Sequence, residues 1–131
     1  MVLKDVIYNS TKFDISFLDK INILLDNSGT GKTFLINMVS SYCENNDIPY
    51  MHIDYKHREL VDNKKSLYNK EILLFDKADL YLTPDLFEEL KSVKGISIIS
   101  IKDIADLYID NNVGLYNLIN TGSNIKTNRW G

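Results

Sequence analysis

The sequence predicts an α/β domain of three layers, in which a mostly parallel sheet of about five strands is flanked by helices, with a β-hairpin ahead of the first core strand. Three observations carry this expectation. Short strand-like runs stand at 21–25, 72–75 and 96–101, and the first two are apolar enough to be buried, as strands covered on both faces require. Segments with helical spacing alternate with those runs. A turn rich in small residues, Ser28-Gly29-Thr30-Gly31, joins the first core strand directly to a helix.

Each element follows from local chemistry. Val6 to Tyr8 and Phe13 to Phe17 read as strands, and Asn9-Ser10-Thr11-Lys12 as the turn of a hairpin between them. Ile21 to Leu25 is the first core strand. A helix runs from Gly31 to Glu44, with Phe34, Leu35, Met38, Val39 and Tyr42 recurring on its buried face. Tyr50 to Asp54 reads as a second strand, and His57 to Asn69 as a short helix and loop. Ile72 to Phe75 is a third strand, ending at Asp76. Thr83 and Pro84 suit the cap and first turn of a helix continuing through Val93. Ile96 to Ile101 is a fourth strand, Asp103 caps a helix through Ile109, and Gly114 to Ile119 forms the last strand. The tail, Asn120 to Gly131, is polar and rich in turn residues.

The 131 residues suit one domain, 1–131, and no linker or repeat divides them. A net charge of −3 gives no electrostatic case for nucleic-acid or membrane partners. Cys43 is the single cysteine, so no intrachain disulfide forms; with His52 and His57 the only histidines, no zinc spacing exists. Without a signal-peptide pattern or a membrane-length apolar run, a cytoplasmic protein is expected. The Asn, Ile and Lys bias is that of an AT-rich genome.

The turn at 26–33 carries the chemistry. A polyphosphate concentrates negative charge, which backbone N–H groups and the positive end of a helix dipole can hold. Gly29 and Gly31 let the backbone approach closely. Lys32 brings a point charge to the phosphates, and the Thr33 hydroxyl suits Mg²⁺. This pattern resembles the Walker A motif of P-loop NTPases, G-x-x-x-x-G-K-[ST], through Gly31, Lys32 and Thr33; Asp26 stands where that motif has its first glycine. The resemblance implies a compact member of the AAA/ABC-like ATPase branch with a P-loop NTPase-like fold. It implies a nucleotide cradle of Asn27, Ser28, Gly29, Thr30, Gly31, Lys32, Thr33 and Phe34, and a hairpin that covers the base side.

Glu71-Ile72-Leu73-Leu74-Phe75-Asp76 resembles the Walker B strand, about forty residues after the loop. That implies a metal site of Thr33 and Asp76, and a catalytic set of Lys32, Asp76 and Asp79. Lys77 follows Asp76 where a well-hydrolysing ATPase commonly has Glu, which leaves Asp79 or Asp54 to activate water. Asp76-Lys77-Ala78-Asp79 also resembles the guanine-reading N-K-x-D element, but no D-x-x-G precedes it, so ATP is preferred over GTP. Ser100 stands at a strand end where related ATPases carry a polar sensor; Lys102 and Asp103 are alternatives. Arg58 and Arg129, the only arginines, are both read as surface residues.

The expected function is therefore ATP binding with Mg²⁺ and slow or partner-stimulated hydrolysis, the partner being another protein or a second copy. The alternative is a catalytically degenerate scaffold that binds proteins as an accessory or inhibitor of phage or mobile-element type. A small-molecule kinase or a GTPase ranks below both.

Overall fold

A computed structural model of the chain describes residues 1–25, 31–62 and 64–130. Strands β1 (Val2–Tyr8) and β2 (Thr11–Ser16) form an antiparallel hairpin whose two turn residues, Asn9 and Ser10, both have positive φ (47° and 66°). That is the turn handedness matching strand twist. Then follow β3 (Ile21–Leu24), α1 (Lys32–Asn45), β4 (Tyr50–Ile53), a 3₁₀ turn (Arg58–Asp62) and α2 (Lys64–Tyr68). The chain continues through β5 (Ile72–Phe75), a 3₁₀ turn (Ala78–Leu80), α3 (Pro84–Leu90), β6 (Ile96–Ser100), β7 (Val113–Asn120) and β8 (Asn124–Arg129).

The three-layer fold expected from sequence, a mostly parallel sheet of about five strands flanked by helices, is not what forms. Among the described residues, eight strands join one mixed sheet in the order β1-β2-β8-β7-β3-β6-β5-β4, curled into a half-barrel and accompanied by three short helices. The β7–β3–β6–β5–β4 neighbours are parallel, β7–β8 and β1–β2 antiparallel, and β2–β8 parallel again. The correction has two sources. The tail, read as turns, supplies β8, which carries the hairpin onto the same sheet. A bulge between Leu3 and Val6, with Asp5 at φ 55°, adds local twist to β1.

Two apolar clusters hold the sheet. One gathers Phe13, Ile15 and Phe17 of the hairpin side, Leu24, Leu74 and Ile98 of the central strands, and Leu35, Ile36, Met38, Val39 and Cys43 of α1. Burial pushes the Cys43 thiol up to about 11, so it behaves as a small hydrophobe. The other joins Ile21, Ile23, Leu73, Phe75 and Ile99 to Leu67 of α2 and Leu86, Phe87 and Leu90 of α3. Fully burying each such side chain contributes about 1.5–3 kcal/mol. Asn22, inside buried β3, is tolerated because its amide donates to Asp19 O (2.8 Å) and Ser97 O (3.1 Å) and accepts from Asp19 N (3.1 Å).

Thr83 caps α3 as expected, its hydroxyl accepting from Leu86 N at 3.1 Å, although the helix stops at Leu90 rather than Val93. No helix forms over 103–109. The Asp103 carboxylate accepts from Ala105 N (2.9 Å), a local turn that competes with helix, while Lys91 Nζ holds Tyr108 O (2.9 Å) and the Asp110 carboxylate (3.0 Å). No described helix is long and apolar enough to cross a membrane.

Candidate functional site

Parallel register aligns four strand ends. Leu24 of β3 lies opposite Ser100 of β6, Phe75 of β5 opposite Ile99, and Ile53 of β4 opposite Phe75. The turns that follow these strands therefore emerge at one edge of the sheet, where open α/β sheets place ligands.

Helix α1 begins at this edge. Gly31 has φ 99°, a left-handed conformation that glycine adopts without a Cβ penalty, and its carbonyl accepts the helix's Leu35 N–H at 2.8 Å. Lys32 is buried, and the Thr33 hydroxyl donates to Asp76 Oδ1 at 3.2 Å, joining the start of α1 to the end of β5. Asp76 is buried, and its own N–H donates to Ile53 O at 2.9 Å. Two oxygens on rigid elements are what Mg²⁺ needs from a protein when phosphates and water complete its octahedron. Among the described residues, no group of three His, Cys, Asp or Glu side chains that could hold a metal gathers here or elsewhere.

A cavity of about 1000 Å³ opens beside this pair. Gly31, Lys32, Thr33, Phe34 and Asn37 line it from α1; Lys77, Asp79 and Leu80 from the turn after β5; and Ser100, Ile101 and Lys102 from the end of β6. Phe34 is braced by the hairpin, with Tyr8 and Phe13 ring centroids each 5.4 Å away. The buried face of α1 is thus rotated from the one read in the sequence. Leu35, Ile36, Met38, Val39 and Cys43 go inward, leaving Phe34 and Tyr42 partly buried and the Lys32–Thr33 turn directed to the cavity.

The two candidate water-activating carboxylates are engaged in structure. Asp79 lines the cavity, but its oxygens accept from Lys102 N (2.9 and 3.1 Å) and Asp103 N (3.1 Å). Asp54 does not line the cavity; it accepts from His57 N and lies 2.9 Å from His57 Nδ1. Burial pushes the Asp54 carboxyl up, but the His57 contacts outweigh it and hold the group below its ordinary value. Neither arginine reaches the cavity wall. Arg129 forks onto Asp19 (2.9 Å at both Nε and Nη2), and Arg58 stacks 4.0 Å from the Tyr55 ring centroid beside a second cleft of about 520 Å³.

Of the nucleotide-cradle residues read from sequence, Gly31, Lys32, Thr33 and Phe34 come together; Asn27, Ser28, Gly29 and Thr30, with Asp26, lie outside the described residues. Tyr81 was not legible as part of the site. Its hydroxyl lies 2.9 Å from Ile53 O and 2.8 Å from Asp76 O, and its one proton is shared between these two carbonyls at the ends of β4 and β5. Burial, then the Asp76 and Asp54 charges, raise its pKa far above the ordinary range, so the phenol stays a donor. Asn37 was missed too, although its position four residues after Thr33 puts it on the same helix face.

Comparison with known proteins finds no matching family model, no matching curated protein and no matching solved structure.

Proposed function

We propose that this chain binds ATP together with Mg²⁺ at the start of α1, in the manner of P-loop NTPases, and hydrolyses it slowly or when a protein partner or second copy stimulates it. One observation carries the reading: buried Lys32 and the Thr33–Asp76 pair, 3.2 Å apart, stand together at the mouth of a nucleotide-sized cavity. Lys32 supplies charge to the phosphates, and Thr33 and Asp76 orient the metal side. Thr33 and Asp76 would hold Mg²⁺, which would supply positive charge against the phosphates. Residues 27–30 enter this reading through their sequence alone.

The test is calorimetric titration with ATP, GTP and ADP, with and without Mg²⁺, on wild type, Lys32→Ala and Asp26→Gly. Micromolar, Mg²⁺-dependent ATP binding that Lys32→Ala abolishes is expected. Unchanged affinity in Lys32→Ala overturns the site.

A second reading, a protein-binding module without turnover, is favoured by the engaged carboxylates. Asp79 and Asp54 are both committed to hydrogen bonds, and Lys77 follows Asp76. Binding by wild type with no ADP formed, alone or with partner, would support it.

A further inference from the structure

Resting on the nucleotide reading, we propose that Lys77 and Lys102 make the cavity selective for a nucleoside triphosphate over the diphosphate by contacting the terminal phosphate from within this chain. Both line the cavity that Lys32 and Thr33 open onto, and both are exposed, whereas Lys32 is buried at the first turn of α1. Lys32 serves any polyphosphate seated at the helix start. The two exposed lysines contact what extends further.

Their backbones are fixed while their ammonium groups are not. Lys77 holds a left-handed conformation (φ 50°, ψ 50°) between buried Asp76 and buried Ala78. Such a conformation is unfavourable for a residue with a Cβ and persists only where the surroundings impose it. The Lys102 N–H is held by Asp79. Among the described residues, neither ammonium forms an ion pair. Three other lysines are committed elsewhere: Lys91 to Glu88 and Asp110, Lys12 to Asp5, and Lys20 to Val93 O.

Charge arithmetic favours the same assignment. Phosphate groups need compensating cations, and neither arginine lines this cavity. Among the described residues that line the cavity, Asp79 is the one carboxylate beside Lys77 and Lys102, and it already accepts three contacts from main-chain N–H groups. A diphosphate leaves the outer pair without an anion; a triphosphate supplies one. Lysine suits this role because it is a point charge on a flexible stem that needs no bidentate geometry.

The experiment is calorimetry in Mg²⁺ with ADP and with a non-hydrolysable ATP analogue. The proteins are wild type, Lys77→Met, Lys102→Met, the double variant and Lys94→Met, which removes an exposed charge away from the cavity. Wild type is expected to prefer the triphosphate by about tenfold or more, the scale of charge-assisted hydrogen bonds. Each cavity variant should lose about fivefold to tenfold for the triphosphate with ADP affinity unchanged. Lys94→Met should match wild type for both. Equal affinity of wild type for the two nucleotides, or equal losses for both in the variants, overturns the proposal while the nucleotide site stands. Wild type that binds neither overturns both.

Discussion

Replacing Gly114 with alanine would place a Cβ 1.9 Å from Asp19 Oδ2 and 2.5 Å from its Cγ, with Tyr116 Cε1 at 3.0 Å. Ordinary contact begins at 3.4 Å, so the carboxylate must retreat. A free aspartate would rotate away cheaply, but this one is held on three sides. It accepts from the Tyr116 hydroxyl at 2.6 Å, from Arg129 Nε at 2.9 Å and from Arg129 Nη2 at 2.9 Å. Hydrogen bonds to charged groups are worth about 1.5–3 kcal/mol, and overpacking costs about 1–3 kcal/mol. Because Arg129 is largely solvated, only part of that sum is lost. Gly114→Ala should therefore destabilise the protein by about 2–4 kcal/mol in urea unfolding at neutral pH. The decisive comparison is a double-mutant cycle. In Asp19→Ala the two closest obstructing atoms are gone and only the Tyr116 ring edge at 3.0 Å remains, so the added methyl should cost less than about 1 kcal/mol. An equal penalty in both backgrounds would refute the mechanism.

The same carboxylate gives the protein an acid-sensitive component. Bonds from Arg129 hold the Asp19 pKa below its ordinary value, so its stabilisation is complete above the unfolded aspartate pKa of about 3.9 and is lost as pH falls through the lower folded value. Arg129→Gln should flatten that limb in unfolding curves taken from pH 6 to pH 2; an unchanged slope would count against it. Tyr81→Phe removes the one donor shared by Ile53 O and Asp76 O and should cost about 1–2 kcal/mol, and by loosening Asp76 it should also weaken the Mg²⁺ dependence of ATP binding. Loss of stability with the Mg²⁺ dependence intact would make Tyr81 purely structural. Asp79→Ala should speed hydrogen exchange at the Lys102 and Asp103 amides, and unchanged exchange would show that the carboxylate does not hold that turn.

The central strands were legible because their signal is local. Ile72 to Phe75 is apolar in succession and Ile96 to Ser100 is rich in isoleucine, and each became a largely buried strand at the expected place. The start of α1 was legible for the same reason, since Gly31, Lys32 and Thr33 are adjacent. The curled mixed sheet was not. It depends on β8, whose only wholly buried residue is Ile125 and whose pairing with β2 joins residues more than a hundred positions apart. A strand with one buried side chain shows no period, and its polar residues read as turn. The helix expected over 103–109 failed because Asp103 caps its own turn rather than a helix, which propensity does not distinguish. Tyr81 escaped notice because its two acceptors are main-chain carbonyls, which leave no trace in a pattern of side chains.

The placement of β8 between β2 and β7 also has a consequence for biosynthesis. The hairpin that brings Tyr8 and Phe13 against Phe34 joins the rest of the sheet through β8, and Ser16 meets Thr127 across 111 positions of chain. A ribosome delivers the hairpin first and its sheet neighbour more than a hundred residues later. Throughout that interval Phe13, Ile15 and Phe17 lack the strand that completes their side of the core. The aromatic brace behind the cavity is therefore secured only after β8 has been made, although Tyr8, Phe13 and Phe34 all precede β8 by about ninety residues or more.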